Sequence, residues 1–280
     1  MNWMKYKPLY FAISLLFLIP GIISLLIFGF NPSIEFTGGS KIQYQIQPGN
    51  IQPAQDIIHQ KYPAAKLELE GSTLRLSLQS IDQEAVDQLT QELKNKYQEV
   101  QLQGFETVGP SLGRQMLKRT ITAAILVAVG ILIFTAYSFK SLKFGVSAVL
   151  AMLHDSLILM GSFSLLGHFF NIKTDLLFVT ALLTTLSFSV HDTIVVFDRI
   201  RQLGTTDLQS TANQAITDTI VRSVNNSLTI IFMLLALFLL GGESIHWFAL
   251  ALLIGATTGT YSSTFTAVPL LVTWDQIENR

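Results

Sequence analysis

The chain has 280 residues, of which 50% are hydrophobic and only 13% are charged. A soluble domain carries roughly 25% charged residues, so the low value indicates long apolar segments that lie in a membrane. With a net charge of -1, the chain has no excess of positive charge with which to bind nucleic acid. The absence of cysteine excludes disulfide scaffolds, thiol catalysis and cysteine metal sites.

The first apolar segment follows Lys5 and Lys7 and extends from Leu9 to Phe30. Its length of about twenty residues is typical of a membrane span and exceeds the apolar part of a secretory signal. No cleavage site of small residues follows it. We therefore predict a retained first helix within residues 1–30, with a kink at Pro20 and Gly21. A cleaved signal peptide is the weaker alternative.

Five further apolar stretches are long enough to cross a bilayer. They run from about Thr120 to Phe139, Phe144 to Leu166, Leu176 to Phe197, Thr219 to Leu240 and Phe248 to Thr273. The chain is therefore predicted to be an α-helical membrane protein with six membrane-spanning helices. The last five helices fall within residues 119–273, and residues 274–280 form a short C-terminal tail.

Lysine and arginine in the short loops predict how the helices are oriented. Lys140 and Lys143 follow the second helix, and Arg199 and Arg201 follow the fourth, whereas the turn between the third and fourth has only Lys173. Because positively charged loops stay in the cytoplasm, both termini are predicted to be cytoplasmic. The long segment between the first two helices then lies on the opposite side of the membrane.

That segment, residues 31–118, carries most of the acidic and amide side chains and is predicted to be a separate extracytoplasmic domain. Sequence periodicity predicts, in order, a strand at Lys41 to Gln47, a helix at Gln52 to Tyr62, hairpin strands at Lys66 to Glu70 and Leu74 to Leu78, a helix at Ile81 to Tyr97 and a strand at Val100 to Phe105. The order βαββαβ favours a small ferredoxin-like α+β fold. Such a fold by itself specifies no chemistry.

Three of the predicted membrane helices carry polar or small side chains along one face. In the fourth helix, Thr185, Ser189 and Asp192 are spaced four and then three residues apart, so they lie on one face of the helix. In the fifth helix, similar spacings align Arg222, Asn225, Asn226 and Thr229. In the sixth helix, Gly255 and Gly259 form a GxxxG pair. Such a pair lets the backbone of another helix approach closely.

The fourth and fifth helices are antiparallel, so Asp192 and Arg222 can lie at similar depths and form a buried ion pair. A carboxylate held between burial and a nearby arginine can bind and release protons during a transport cycle. The alternative is that the pair only joins two helices, because polar links between spans contribute about 0.6 kcal/mol on average. From the residues alone, the two interpretations stay balanced.

The remaining ionisable residues in the spans are weaker candidates. Adjacent helix residues point about 100° apart, so His154 and Asp155 are not expected to face one site, and the same holds for His191 beside Asp192. Adjacency also excludes a hydrolytic triad with Ser156, because triad side chains must converge. No glycine-rich phosphate loop or histidine cluster is present, so no cofactor, metal or enzymatic activity is predicted.

Several short motifs occur in order between the predicted spans. Those flanking the domain are Glu35, Phe36, Thr37, Gly38, Gly39, Val108, Gly109 and Pro110. Those in the spans are Leu153-His-Asp155, Asp192-Thr-Ile-Val-Val-Phe-Asp-Arg-Ile-Arg201, Arg222 and Gly259-Thr-Tyr-Ser-Ser263. Together they resemble the SecF type of the SecD/SecF family of protein-export membrane proteins, within the resistance-nodulation-division superfamily. Each motif alone is weak, and their shared order carries the resemblance.

The resemblance implies partners, an energy source and a site. SecF-type proteins pair with SecD beside the SecYEG channel, act after SecA, and use a proton or sodium gradient to help unfolded polypeptides cross the bacterial inner membrane. The family's coupling aspartate and arginine correspond to Asp192 and Arg222. His191, Asp155 and His154 are further candidates for the proton relay. The domain of residues 31–118 is then expected in the periplasm.

Departures from the family pattern lie around the same pair. His191 stands where the family has asparagine, Ser187 where glycine is common, and Asn225 with Asn226 where an apolar residue and a threonine are usual. Glu35 keeps the charge of the family's aspartate. We therefore hypothesise that His191 retunes the proton affinity of Asp192 or substitutes for a lost partner.

Two other functions stay open at this stage. One is a stand-alone exporter of small molecules or lipids from the same superfamily, although such exporters usually have twelve spans and two large external domains in one chain. The other is a scaffold that stabilises the export channel without transporting ions.

Overall fold

The computed structural model describes residues 1–46, 52–97, 100–204 and 207–278. The chain divides into two compact units, one made of Met1–Asn31 with Thr122–Arg280 and the other of Pro32–Ile121. Each unit has a hydrophobic core of its own. Gln47, the predicted end of the first strand, and the last two residues of the predicted tail lie outside the described residues.

Five helices in the described part of the chain are long and apolar enough to cross a membrane. They are α1 (Lys7–Ile27), α5 (Pro110–Phe139), α6 (Leu142–Phe170), α7 (Leu176–Leu203) and α8 (Leu208–Leu240). Helices α5 to α8 each contain one predicted span, whereas α1 ends at Ile27, three residues before the predicted end of the first span at Phe30. The predicted class of α-helical membrane protein is therefore confirmed.

The sixth predicted span is present as two helices joined by a π-helical turn. Helix α9 (Glu243–Ser262), the turn (Ser263–Ala267) and α10 (Val268–Glu278) follow one another without a break. We call these three elements together the last span. A π-turn is a local widening of a helix and is frequent at functional sites.

Two of the long helices begin before the apolar pattern does, because polar residues outside the apolar stretch also form helix. Helix α5 starts at Pro110, since proline lacks a backbone N–H and suits the first turn of a helix. Helix α8 starts after Asp207, whose side chain accepts a hydrogen bond from the backbone N–H of Ser210.

Helices α1 and α6 approach closely at a pair of glycines. A Cβ atom built on Gly161 would overlap the Cα of Gly21, so Gly161 has no room for a side chain, and a Cβ atom on Gly21 would lie 3.3 Å from the Cα of Gly161. Nearby, the hydroxyls of Ser24 and Ser164 are 2.8 Å apart. Pro20 lies inside α1, and the predicted kink there stays a prediction.

The second unit contains a four-stranded antiparallel sheet. Its strands are β1 (Gly39–Ile46), β2 (Lys66–Glu70), β3 (Thr73–Leu78) and β4 (Val100–Val108), in the order β2-β3-β1-β4. Helix α3 (Gln52–Lys61) connects β1 to β2, and α4 (Gln83–Lys94) connects β3 to β4. This connectivity and strand order confirm the predicted ferredoxin-like βαββαβ fold.

The sheet buries one face against α3 and α4. Alternate residues of β1 point to this face, namely Ile42, Tyr44 and Ile46. They meet the apolar side of α4, formed by Val86, Leu89 and Leu93 as its spacing predicted. The Tyr44 hydroxyl lies 3.0 Å from Thr90 Oγ1, and burial raises the pKa of Tyr44.

A short helix that was not predicted, α2 (Ile34–Thr37), leads into β1 through two glycines. Gly38 and Gly39 have φ angles of +74° and +133°, which L side chains rarely adopt. A Cβ atom on Gly38 would lie 2.7 Å from the Cα of Pro110, at the start of α5. The glycine pair therefore lets the chain pass close to the first turn of α5.

We expect Gly38→Ala to weaken the sheet domain. Alanine adds a backbone cost of about 1–3 kcal/mol, because Gly38 has φ +74° and ψ +161°, a region that is essentially restricted to glycine, and it also adds a clash with Pro110. Gly71→Ala is the matched control, because Gly71 has a φ of +61° but no described atom within 4 Å of its Cβ position. Hydrogen exchange of β1 and β4 amides in the full chain measures the local opening free energy. Equal losses in both variants would contradict a role for the Pro110 contact.

Candidate ion-coupling site

Asp192 is a buried carboxylate on the membrane helix α7. Its residue is 8% exposed, and its Oδ2 atom accepts a hydrogen bond of 3.3 Å from Ser227 Oγ on α8. Its Oδ1 atom lies 3.4 Å from Nδ1 of His191, whose side chain is 70% exposed. Asp192 therefore has one internal hydroxyl partner and one partner that reaches the surface of this unit.

A small cleft between α7, α8 and α9 opens beside Asp192. The cleft is large enough to hold at least one water molecule. Its lining includes polar groups from all three helices, namely His191, Asp192, Asn226, Ser227 and Thr260. The arrangement can thus bring water to a carboxylate that is otherwise buried in the bundle.

The predicted ion pair between Asp192 and Arg222 is not formed, and that expectation is corrected. In the described part of the chain, Arg222 has no ion-pair or hydrogen-bond partner, and it is exposed on α8. The face of α8 that packs inward is instead set by Thr219, Ser223 and Ser227, spaced four residues apart. Arg222 lies one residue before Ser223, which turns it away from Asp192.

The other residues of the predicted α8 stripe lie on the same exposed side as Arg222. Asn225, Asn226 and Thr229 are exposed, and Asn226 alone among them borders the cleft. The Thr229 hydroxyl donates to the backbone carbonyl of Asn225. The stripe therefore forms a polar surface on the outside of this unit.

The predicted α7 stripe is divided between two surroundings. A Cβ atom on Gly255 would lie 1.9 Å from Cγ2 of Thr185, and one on Gly259 would lie 3.3 Å from Cα of Ser189. Thr185 and Ser189 thus occupy the seam where α7 meets α9, and both are buried. Asp192, one turn further along, faces the cleft instead.

His154 and Asp155 on α6 do meet, contrary to the expectation from adjacency. His154 Nδ1 lies 2.9 Å from Asp155 Oδ1, because rotation of both side chains overcomes the 100° between their Cβ directions. Asp155 Oδ2 also accepts a hydrogen bond from Ser262 Oγ at the end of α9. Ser156 instead donates to the Met152 carbonyl, so no hydrolytic triad forms.

Sequence reasoning did not single out the two hydroxyls that donate to the buried aspartates, Ser227 to Asp192 and Ser262 to Asp155. Ser227 is separated by four residues from Ser223, a spacing that could have identified the inward face of α8. Ser262 belongs to the motif Gly259-Thr-Tyr-Ser-Ser263 that carries part of the resemblance, but helix periodicity gave no signal for its contact with Asp155. No group of three potential metal ligands occurs among the residues described.

These features define a multi-pass helical membrane protein with a ferredoxin-like domain between its first two spans and a buried carboxylate beside a cleft. The chain belongs to the SecD/SecF family. The family model described as "Protein export membrane protein SecD/SecF, C-terminal" matches residues 88–277, and the SecD/SecF GG motif matches residues 23–49. The second match includes Gly38 and Gly39.

Similar proteins cover almost the whole chain. Protein translocase subunit SecF of Thermobaculum terrenum is 39% identical over 97% of this chain and 93% of its own length. The subunit of the same name from Anaerolinea thermophila is 35% identical over 100% of this chain and 96% of its own length.

Solved structures of SecDF match the fold. The crystal structure of SecDF from Thermus thermophilus aligns with a TM-score of 0.86 and 30% identity over all of this chain. SecDF in the "Super-membrane-facing form" aligns with a TM-score of 0.73. In both cases the chain spans only 39% of the length of the SecDF chain.

We expect Gly255→Ala to destabilise the bundle, because the new methyl group overlaps Thr185 and forces α7 and α9 apart. Overpacking of this kind costs about 1–3 kcal/mol. Adding Thr185→Ser removes the Cγ2 atom that clashes and should restore part of the loss. Gly130→Ala, with no described atom within 4 Å of its Cβ position, is the control. Thermal unfolding in detergent measures all three, and a Gly255→Ala midpoint equal to wild type would contradict the close contact.

Proposed function

We propose that the protein is a SecF-type accessory subunit of the Sec translocase. In this role it pairs with SecD and uses the proton or sodium gradient to assist export driven by SecA through SecYEG. The observation that carries the proposal is the alignment of the whole chain, domain and spans together, with part of SecDF at 30% identity. The curated relatives, named protein translocase subunit SecF, support the same role.

The exposed polar stripe on α8 supports the need for a second membrane subunit. An arginine that faces lipid costs about 2.5–3.5 kcal/mol at the centre of a membrane helix, and a smaller cost remains near the end of a span, where Arg222 lies. Arg222 and the neighbouring asparagines are exposed on this unit, so a polar partner surface would remove that cost. A SecD subunit that covers this face fits the fact that the chain spans 39% of SecDF.

The proposed placement follows from the loop charges and the family. The protein lies in the bacterial inner membrane with both termini in the cytoplasm, including the tail of residues 274–280. The domain of residues 31–118 lies in the periplasm, where it can meet the unfolded polypeptide that is being exported. Residues 1–30 and 119–273 provide the membrane part.

Asp192 is proposed as the residue that binds the coupling ion. It is buried, it has no lysine or arginine partner within the described part of this chain, and its cleft has room for water. A carboxylate in such surroundings is costly when charged and alone, so its charge depends on what reaches the cleft. Arg222 is proposed to act across the interface with the partner subunit rather than within this unit.

We expect Asp192→Asn to remove most of the gradient-dependent part of export, because asparagine keeps the hydrogen bond from Ser227 but cannot bind a proton. Asp175→Asn is the matched control on the same helix, since Asp175 caps α7 and asparagine caps equally well. Export of a reporter protein into membrane vesicles, with and without a gradient, measures the effect. Full gradient-dependent export in Asp192→Asn would favour the scaffold alternative.

His191→Asn extends the same experiment to the hypothesis about His191. Histidine changes its charge between about pH 5 and 8, so His191 beside Asp192 should make the gradient-dependent export vary with pH in that range. The variant carries the asparagine that the family favours. Identical pH profiles for variant and wild type would remove His191 from the coupling mechanism.

We expect the tagged chain to purify in mild detergent with a SecD-type subunit. Arg222→Gln should lower the recovery of that subunit about tenfold or more, because loss of one buried charged contact costs 2–5 kcal/mol. Arg119→Gln, which removes an exposed charge from α5 near the domain, is the control. Mass spectrometry of the bound subunits measures the result. A stable homotrimer without a second subunit would favour the stand-alone exporter.

A further inference from the structure

A buried polar cluster lies where α6 meets the last span, and the Asp192 cleft does not include it. Its members are His154, Asp155 and Ser262, with exposures of 6%, 2% and 0%. Asp155 contacts His154 through Oδ1, at 2.9 Å, and accepts the Ser262 hydroxyl through Oδ2, at 2.5 Å. We infer that this cluster is a second proton-binding site, in which His154 and Asp155 together bind and release one proton.

The cluster and the cleft lie on different sides of the last span. Ser262 reaches towards α6, whereas Thr260 and Ala256 line the cleft against α7 and α8. Two residues along a helix correspond to a rotation of about 200°, so Thr260 and Ser262 point in nearly opposite directions. A change at Asp155 can therefore be separated from a change at Asp192.

The charge of the pair depends on one proton. Among the described residues, no lysine or arginine pairs with Asp155, and His154 is the only partner that can become positive. With the imidazole protonated, the pair is neutral overall. With the imidazole neutral, a net negative charge remains in the interior of the bundle, where it is costly.

Other titratable side chains on the surrounding helices are engaged elsewhere. Lys7 on α1 donates to Gln276, and the Tyr261 hydroxyl donates to the Tyr10 carbonyl. On α7, His191 and Asp192 face the cleft. Asp275 and Glu278 on α10 pair with Lys143 on α6. The proton of the cluster is therefore assigned to His154 and Asp155 alone.

One atom of the cluster is left without a partner. The Nε2 atom of His154 is fully buried and has no hydrogen bond in the described structure. A link that served only to hold two helices together would not need a ring nitrogen in this position, and burying it unpaired is unfavourable. The unpaired Nε2 atom of His154 is therefore the position at which the ring can gain or lose a proton when water reaches it.

The π-turn provides a place where the surroundings of the cluster can change. It begins at Ser263, directly after Ser262, and local widenings of this kind recur at functional sites. The Ser262 hydroxyl also lies 3.3 Å from the Gly259 carbonyl, so it has an alternative acceptor within its own helix. Ser262 can thus release Asp155 without being left unpaired.

The test is the number of protons that the purified full chain takes up when the pH falls from about 9 to about 5.5, a range over which histidine titrates and ordinary aspartate does not. Asp155→Asn keeps an acceptor for Ser262 but removes the charge that pairs with the imidazole. We expect this variant to take up about one proton fewer per chain. Asp175→Asn, at the partly buried N-terminal cap of α7, should match wild type.

The double variant Asp155→Asn with His154→Gln should lose no more than Asp155→Asn alone, because the proton belongs to the pair. Uptake in Asp155→Asn equal to wild type overturns the inference and leaves a packing link between α6 and the last span. A further loss in the double variant also overturns it, since His154 would then titrate independently. The measurement needs no export, so its failure is distinct from failure of the proposed function.

A second measurement covers the case in which Asp155→Asn does not fold. Nitrogen-15 NMR of the wild-type protein with labelled histidines reports the protonation state of each imidazole ring. The signal that is missing from the spectrum of His154→Gln belongs to His154. The His154 ring should change its protonation state over the same pH range. A ring that stays in one state throughout overturns the inference.

Discussion

The close contact between α7 and α9 decides where the polar groups of this protein lie. Gly255 and Gly259 have no side chains, so Thr185 and Ser189 fit directly against the α9 backbone. The Thr185 hydroxyl donates to the Leu182 carbonyl within its own helix, whereas the buried Ser189 hydroxyl has no hydrogen-bond partner in the described structure. The seam therefore fixes the rotation of α7, and Asp192, one turn further along, faces the cleft between α7, α8 and α9.

The same seam fixes the rotation of the last span and so creates two carboxylate sites. Thr260 borders the cleft with Asp192, while Ser262 reaches Asp155 on the other side. Both aspartates accept a serine hydroxyl and lie next to a histidine, but the histidines differ. His154 is buried with its aspartate, whereas the His191 side chain is 70% exposed. One site is enclosed by this unit, and the other is open at its surface.

The sequence predicted those features that depend on local periodicity. Apolar runs located the membrane helices, and alternation with the amphipathic pattern of α4 gave the βαββαβ order. Rotations of helices were harder, because several faces of α8 carry polar residues. The stripe containing Arg222 was chosen as the inward face, while Ser223 and Ser227 in fact point inward. His154 and Asp155 were set apart by their Cβ directions, although side-chain rotation brings their tips together.

The exposed polar stripe on α8 and the buried cluster of His154, Asp155 and Ser262 differ in whether their polar groups have partners within this chain. An arginine that faces lipid costs about 2.5–3.5 kcal/mol at the centre of a span and less towards its end, where Arg222 lies. A polar partner surface over α8 would remove this cost, which is why we propose that a second subunit covers the stripe containing Arg222. The His154–Asp155 pair already has its hydroxyl donor and its counter-charge inside this unit. Its side-chain partners therefore come from this chain, so the proton that we propose for the pair needs no residue from a second subunit.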